Sequence, residues 1–326
     1  MSFDTIRRSF GRSGEQPEPP GEFNTGKFYT GRRAMVTAAV PFVVMVVLFA
    51  VVAVVFIVTD NSATTTEPPY PHTHLDDPFL PWLWAYAFPL AWSAMLVFYA
   101  VNTVRNREFS MSALLFIAGT SMFWIEWPAD WGAYLVYNRE FWNFTGWTST
   151  WYQTYWKPVN VVFGYGIFFA VECLLLLKVV PRLADQLHRL LPRVHSTVLL
   201  IVSCLVVFYT VDIIGERLMT AAGWYSYVDP VGPAWESSRG TISFVWPVLP
   251  FLLFAVAISL ALRADADGHY PNEKLFSTHR LRPGWTREFA RLAVWVVTMN
   301  VALFVAQPLV TCIGRILFFH DSVYVP

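Results

Sequence analysis

Seven apolar runs follow one another along the chain, near residues 34–59, 81–104, 111–130, 158–180, 196–219, 241–262 and 290–314. Each is long enough to approach the roughly 20 helical residues that cross a hydrocarbon core of about 30 Å. Of the 326 residues, 55% are hydrophobic and only 14% charged, and the mean hydropathy is +0.43. The expected fold class is all-α: a polytopic membrane helical bundle of seven transmembrane helices.

Charge placement orients these spans. Cytoplasmic segments hold an excess of Lys and Arg, and a cytoplasmic N-terminus puts all but five of the 23 basic residues inside, the exceptions being Arg139, Lys157, Arg217, Arg239 and Arg315. The bundle is then integral to the cytoplasmic (plasma) membrane and spans residues 34–320, with an outer tail at 321–326. The first run exceeds the roughly 7 to 15 apolar residues of a signal peptide and follows a long polar tail, so it reads as an uncleaved helix. Residues 1–33 are rich in Gly, Pro, Glu and Arg, a composition that favours a disordered cytoplasmic tail. The inner loop from Arg263 to Arg287 is basic and suits lipid headgroups. Two outer loops are crowded with Trp and Tyr, which prefer the interface and in a loop this long can also fold back as a lid.

Four carboxylic acids interrupt the apolar runs: Glu126 and Asp130 in FWIEWPADW, and Asp212 and Glu216 in YTVDIIGERL. A charge near the bilayer centre costs at least about 2.5 to 3.5 kcal/mol, so such residues usually face a bundle interior and mark sites. Residues i and i+4 share a helix face, so Asp212 and Glu216 point together, with Tyr209 one turn earlier. Pro128 lies between Glu126 and Asp130 and can break the helix or begin a new one, leaving it open whether that pair shares a face. Both pairs fall at the outer end of outward-running helices and therefore at one depth. Like charges this close cannot all ionise, so one acid of each pair should keep its proton. A protonated acid beside a carboxylate base is what general acid/base catalysis needs without a cofactor. The structural alternative is that Arg217 and Arg315 pair with these acids and lock the helices.

A polar stripe on the seventh run, Asn300, Gln307, Thr311 and Arg315, is broken by Pro308. Gln307 is expected to line the bundle and Arg315 to snorkel outward, with a counter-ion role as its alternative. Glu172 is expected to be a separate structural acid, hydrogen-bonded across helices. Trp124, Trp127 and Trp131 accompany the first acid pair, and Trp224 and Tyr225 follow the second. Their faces can stabilise a cation by about 0.5 to 2 kcal/mol each when desolvated, although interfacial anchoring explains many of them equally well.

Other chemistries find less support. His72 and His74, with Asp76 and Asp77 close behind, form the only His cluster and could ligate Zn or Cu, but their loop has no evident rigid frame. No His follows Glu126, Glu172 or Glu216 at di-iron spacing, the seventh run holds no Lys for a retinal, and nucleotide-binding glycine loops are absent. Cys173, Cys204 and Cys312 lie singly within spans and form no CxxC pair. The expected partners are membrane lipids and a lipophilic small-molecule substrate, with no nucleic acid and an open oligomeric state.

The order SALLFIAGTSMFWIEWPADW, an aromatic loop ending in WYQTYWKPVNVVFGYG, then VDIIGERLMTAAGWYSY and a sixth run entered by Trp-Pro resembles the AveC-like spirocyclase family of actinobacterial membrane proteins, over roughly residues 80–326. The resemblance implies a cyclase or dehydratase of spiroketal-forming type in polyketide maturation, acting on a lipophilic substrate. Glu126, Asp130, Asp212 and Glu216 would then serve as acids and bases, with Tyr209 positioning and the aromatics walling the pocket. Three rivals are a metal-dependent oxidase using His72 and His74, a proton-coupled transporter using the acids as a relay, and a non-catalytic membrane scaffold.

Overall fold

A computed structural model describes residues 28–59, 75, 79–144, 156, 158–238, 240–245, 248–318, 322, 323 and 325. Helix α1 (Gly31–Thr59) is followed by a π-helical turn, Leu83–Ala87, that runs into α2 (Phe88–Asn106). Helix α3 (Met111–Ser121), a 3-10 turn at Phe123–Ile125 and α4 (Glu126–Ala133) lead to strand β1 (Leu135–Tyr137). Two long helices follow, α5 (Val161–Leu190) and α6 (Ser196–Ala221), and then strands β2 (Tyr225–Tyr227), β3 (Ala234–Ser237) and β4 (Gly240–Ser243). The chain closes with α7 (Val248–Ala261), the short α8 (Pro271–Leu275), α9 (Trp285–Ala306) and α10 (Pro308–Phe318).

The fold is mostly helical, and five stretches are long and apolar enough to cross a membrane: Gly31–Val54, Leu83–Asn106, Val161–Leu190, Ser196–Ala221 and Trp285–Phe318. The other two expected spans are interrupted. In the third, Thr120 and Ser121 return their hydroxyls to the carbonyls of Phe116 (2.9 Å) and Ala118 (2.6 Å), and the Met122 amide donates to Gly119 at 3.1 Å. That tightening ends α3 at Ser121, five residues before Glu126. Pro128 then falls in the first turn of α4, where an amide hydrogen has no intrahelical partner to lose. In the sixth, Gly240–Ser243 is strand rather than helix, paired antiparallel with β3 from Ala234↔Ser243 to Ser237↔Gly240. The described helix that follows is Val248–Ala261.

Packing ties α3 to α5, α5 to α6, and α4 to α10. The last contact needs a glycine: a Cβ on Gly132 would stand 2.6 Å from Thr311 Oγ1 and 2.7 Å from the Thr311 carbonyl carbon. At the other end of the bundle Arg291 is buried between Glu273 (3.0 Å) and Glu288 (2.8 Å). Glu288 also accepts the Phe109 amide at 3.0 Å, joining α9 to the start of α3. Replacing Gly132 by Ala overpacks the α4–α10 contact and is expected to lower stability by about 1 to 3 kcal/mol, read as an earlier thermal unfolding transition in detergent.

Candidate active site: a carboxyl-lined cavity

Glu126, Asp130, Asp212 and Glu216 all line one cavity of about 320 Å³. Helix α4 supplies the first pair and α6 the second, so the question left by Pro128 is answered by the turn that precedes it. With the break at Met122, Glu126 and Asp130 stand one turn apart on a single short helix. Val161, Gly164, Tyr165 and Phe169 of α5 form one wall, and Trp84 and Phe88 from the entry to α2 meet them. Gln307 reaches in from the junction of α9 and α10, where the backbone leaves helical geometry (φ −110°, ψ −77°) ahead of Pro308.

A two-stranded ribbon roofs the cavity. Strands β1 and β2 run antiparallel with Leu135 opposite Tyr227 and Tyr137 opposite Tyr225. Side chains alternate faces along a strand, so Leu135, Tyr137, Tyr225 and Tyr227 share a face, and all four line the cavity. The ribbon is pinned at both ends: the Asn138 amide donates to Trp224 O at 2.9 Å, and the Val228 amide to Tyr134 O at 2.9 Å. Tyr134 itself adopts the left-handed conformation (φ 58°) that ends α4 and turns the chain into β1.

Within this enclosure the carboxyls are not equivalent. Glu126 accepts the Tyr137 hydroxyl on Oε1 and the Tyr165 hydroxyl on Oε2. Asp130 Oδ2 and Glu216 Oε2 are buried with no hydrogen-bond partner among the described residues, and so is Gln307 Oε1. Among the described residues no Lys or Arg lies within ion-pair distance of any of the four. Arg217 turns away from Glu216 to donate to Ser237 Oγ (2.9 Å) and lies over the Trp235 ring at 4.7 Å. Arg315 is 3% exposed, so it does not snorkel. It donates to the carbonyls of Trp131 (2.6 Å) and Val325, with its guanidinium 4.1 Å from the Trp131 ring and 4.4 Å from the Tyr134 ring. The ion-paired alternative for the acids is therefore not what the fold adopts.

Several expected site residues stand outside the cavity lining. Tyr209 donates to Phe244 O at 3.1 Å and anchors the segment after β4. Trp124 donates to Asn300 Oδ1 at 2.8 Å and stacks on Phe304. Trp127 is fully buried against Phe144, and Trp131 carries Arg315. Trp224 donates to Phe79 O at 3.0 Å and packs on Trp84, 5.0 Å between centroids, behind the lining. Tyr225 and Gln307 do line it. Glu172 is buried beside Asp212, and neither of its oxygens has the cross-helix hydrogen bond expected of it. Tyr137, Tyr165 and Tyr227 were not singled out from sequence. Only the Gly164 and Gly166 flanking Tyr165, which let neighbours approach, could have marked it. Among the described residues no cluster of three or more His, Cys, Asp or Glu is arranged to hold a metal, and His72, His74, Asp76 and Asp77 lie outside the described residues.

Helices long and apolar enough to cross a membrane, gathered about a carboxyl-lined cavity, define a membrane protein with acids held inside its bundle. The chain belongs to the spirocyclase AveC-like family, whose model matches residues 106–314. The match runs from the end of α2 into α10 and contains all four acids; it is shorter at both ends than the 80–326 expected from the resemblance. No curated protein and no solved structure matches the chain.

Replacing Arg315 by Lys removes the planar stack and one of two carbonyl contacts. It is expected to lower stability by about 1 to 3 kcal/mol, measured by thermal unfolding, because this cation braces α10 and not the acids.

Proposed function

We propose that the chain is a multi-pass enzyme of the cytoplasmic membrane, with its N-terminus inside, that uses acid/base chemistry without a cofactor. Its reaction is a cyclisation of spiroketal-forming type, or the related dehydration, on a lipophilic polyketide-like or lipid-like substrate. The observation that carries this reading is the gathering of four carboxyls from two helices onto one small cavity, roofed by phenols and without a paired cation among the described residues. The family assignment supplies the cyclase-type reaction class.

The hydrogen-bond inventory divides the roles. An ionised carboxylate only accepts, whereas a protonated carboxyl also donates. Glu126, which accepts from two phenols, is assigned as the base. Asp130 and Glu216, which belong to the cavity lining and each keep one buried oxygen without a hydrogen-bond partner among the described residues, are assigned as proton donors. In spiroketal formation a donor protonates the hydroxyl of a hemiketal, which leaves as water. The resulting oxocarbenium ion is met by the substrate's second hydroxyl, and as that C–O bond forms its proton passes to the base. Dehydration uses the same pair, with the base taking a C–H proton while the donor protonates the departing hydroxyl. Tyr137 and Tyr165 position Glu126, and the ring faces of Tyr225 and Trp84 border the space where positive charge develops.

Asp130→Asn, Glu216→Gln and Glu126→Gln are each expected to fold and to lose turnover by about 100-fold or more. The assay follows loss of one water from a dihydroxyketone probe of long chain length by mass spectrometry. Tyr137→Phe combined with Tyr165→Phe should give a smaller loss with an altered pH profile. Full activity in all three acid variants would remove the cluster from the mechanism, and variants changed only in stability would favour the scaffold reading.

A further inference from the structure

The cavity reaches the lateral surface of the bundle between α5 and α6. Val171 of α5 lines it and is also 49% exposed. Gly215 of α6 lines it on the facing helix, and a Cβ built there would meet no heavy atom within 4 Å. The half-buried Phe168 and Met219 border the same space. Outside it the surface is apolar, since Ile214 and Leu218 on the same helix are both exposed, and both α5 and α6 are long and apolar enough to cross a membrane.

Gly215 has no other explanation in the fold. Its backbone is not in the left-handed region, no neighbour crowds it, and glycine within a helix costs about 1 kcal/mol relative to alanine. What its missing side chain does leave is an opening. The cavity itself, about 320 Å³, is at the small end of the roughly 300 to 1,000 Å³ of small-molecule sites. It has room for a reacting head and not for a long chain as well.

We propose that the gap framed by Val171, Phe168 and Gly215 is a lateral door from the hydrocarbon layer. The substrate class is an amphipathic chain molecule with its reacting oxygens clustered near one end. That end enters to reach the acids, and the apolar remainder stays among the lipid chains. Phe168, Val171 and Met219 offer a passing polar solute nothing to replace its hydration, so a freely soluble polyol is excluded at the frame. The inference rests on the acid/base reading of the cavity, and the test that follows needs no turnover.

Full-length protein in phosphatidylcholine vesicles is treated with dicyclohexylcarbodiimide, a lipid-partitioning carboxyl reagent, or with a water-soluble carbodiimide. Modification of Glu126, Asp130, Asp212 and Glu216 is followed by peptide mass spectrometry. The lipophilic reagent is expected to modify the cluster well ahead of the soluble one. Gly215→Trp and Val171→Trp should each slow it several-fold, and Ile214→Trp, on the exposed flank, should leave the rate unchanged. Gly215→Leu serves as a smaller obstruction where the tryptophan disturbs folding. Wild-type labelling rates in Gly215→Trp, Gly215→Leu and Val171→Trp, or equal labelling by the soluble reagent, would overturn the door. Normal gating of the label by a protein whose acid variants keep full turnover would instead count against the catalytic reading.

Discussion

Four carboxyls placed in an apolar bundle, with no cation within ion-pair distance of them among the described residues, govern the rest of this structure. The chain handles buried charge in two ways at its two ends. Around Arg291 it sets one guanidinium between Glu273 and Glu288 at 3.0 and 2.8 Å, so that both carboxylates are ion-paired and hydrogen-bonded. Around Glu126, Asp130, Asp212 and Glu216 phenols stand in place of cations among the described residues, and Glu126 accepts one phenol on each of its oxygens. A buried polar atom without a partner costs about 1 to 3 kcal/mol. A fold that carries several of them on residues lining one cavity is giving up stability at that place, which is where function is expected to reside.

Departures from regular helix surround the same place. The 3-10 turn before α4 restarts the helix at Glu126. The break at Gln307 turns a polar side chain into the cavity, and the π-helical turn at Leu83–Ala87 carries Trp84 to its wall. The ribbon of β1 and β2 closes the end at which α4 and α6 stop. None of these interruptions would be tolerated cheaply in lipid, where backbone groups have no water to bond. At the end of α3 side-chain hydroxyls take up backbone carbonyls, as Ser121 and Thr120 illustrate.

The four acids were legible in the sequence because a carboxyl within an apolar run is rare and has few physical uses. Their convergence was legible through the expected topology, in which both helices run in the same direction and end at one level. The aromatic residues were not, because a Trp in an apolar segment carries no sign of which way it points. Trp124 is spent on Asn300, and Trp131 on Arg315, while Tyr165, unremarked in its segment, meets Glu126. Arg315 was misread because hydropathy places it near a helix end and says nothing of two carbonyls and two rings waiting there. The span count was legible only in part, for hydropathy registers apolar content and not the hydroxyl-to-carbonyl bonds that end α3 or the strand pairing that claims Gly240–Ser243.

A cyclase and a proton-coupled transporter both call for buried acids, and the surroundings of the acids separate them. Alternating access needs each end of the pathway to open in turn around a midplane site, commonly between broken helices in matching repeats. The cavity here lies instead at one end, beneath a ribbon whose strands are paired residue for residue and pinned at both ends by backbone hydrogen bonds. Along α5, Glu172, Cys173 and Leu176 are all buried. A chamber held in this way, reached from its side as proposed above, would suit a substrate that enters, loses water and returns to the same lipid layer. Holding the reacting oxygens against fixed carboxyls away from bulk water is also what strengthens each proton transfer and limits competing hydrolysis of an oxocarbenium-like ion.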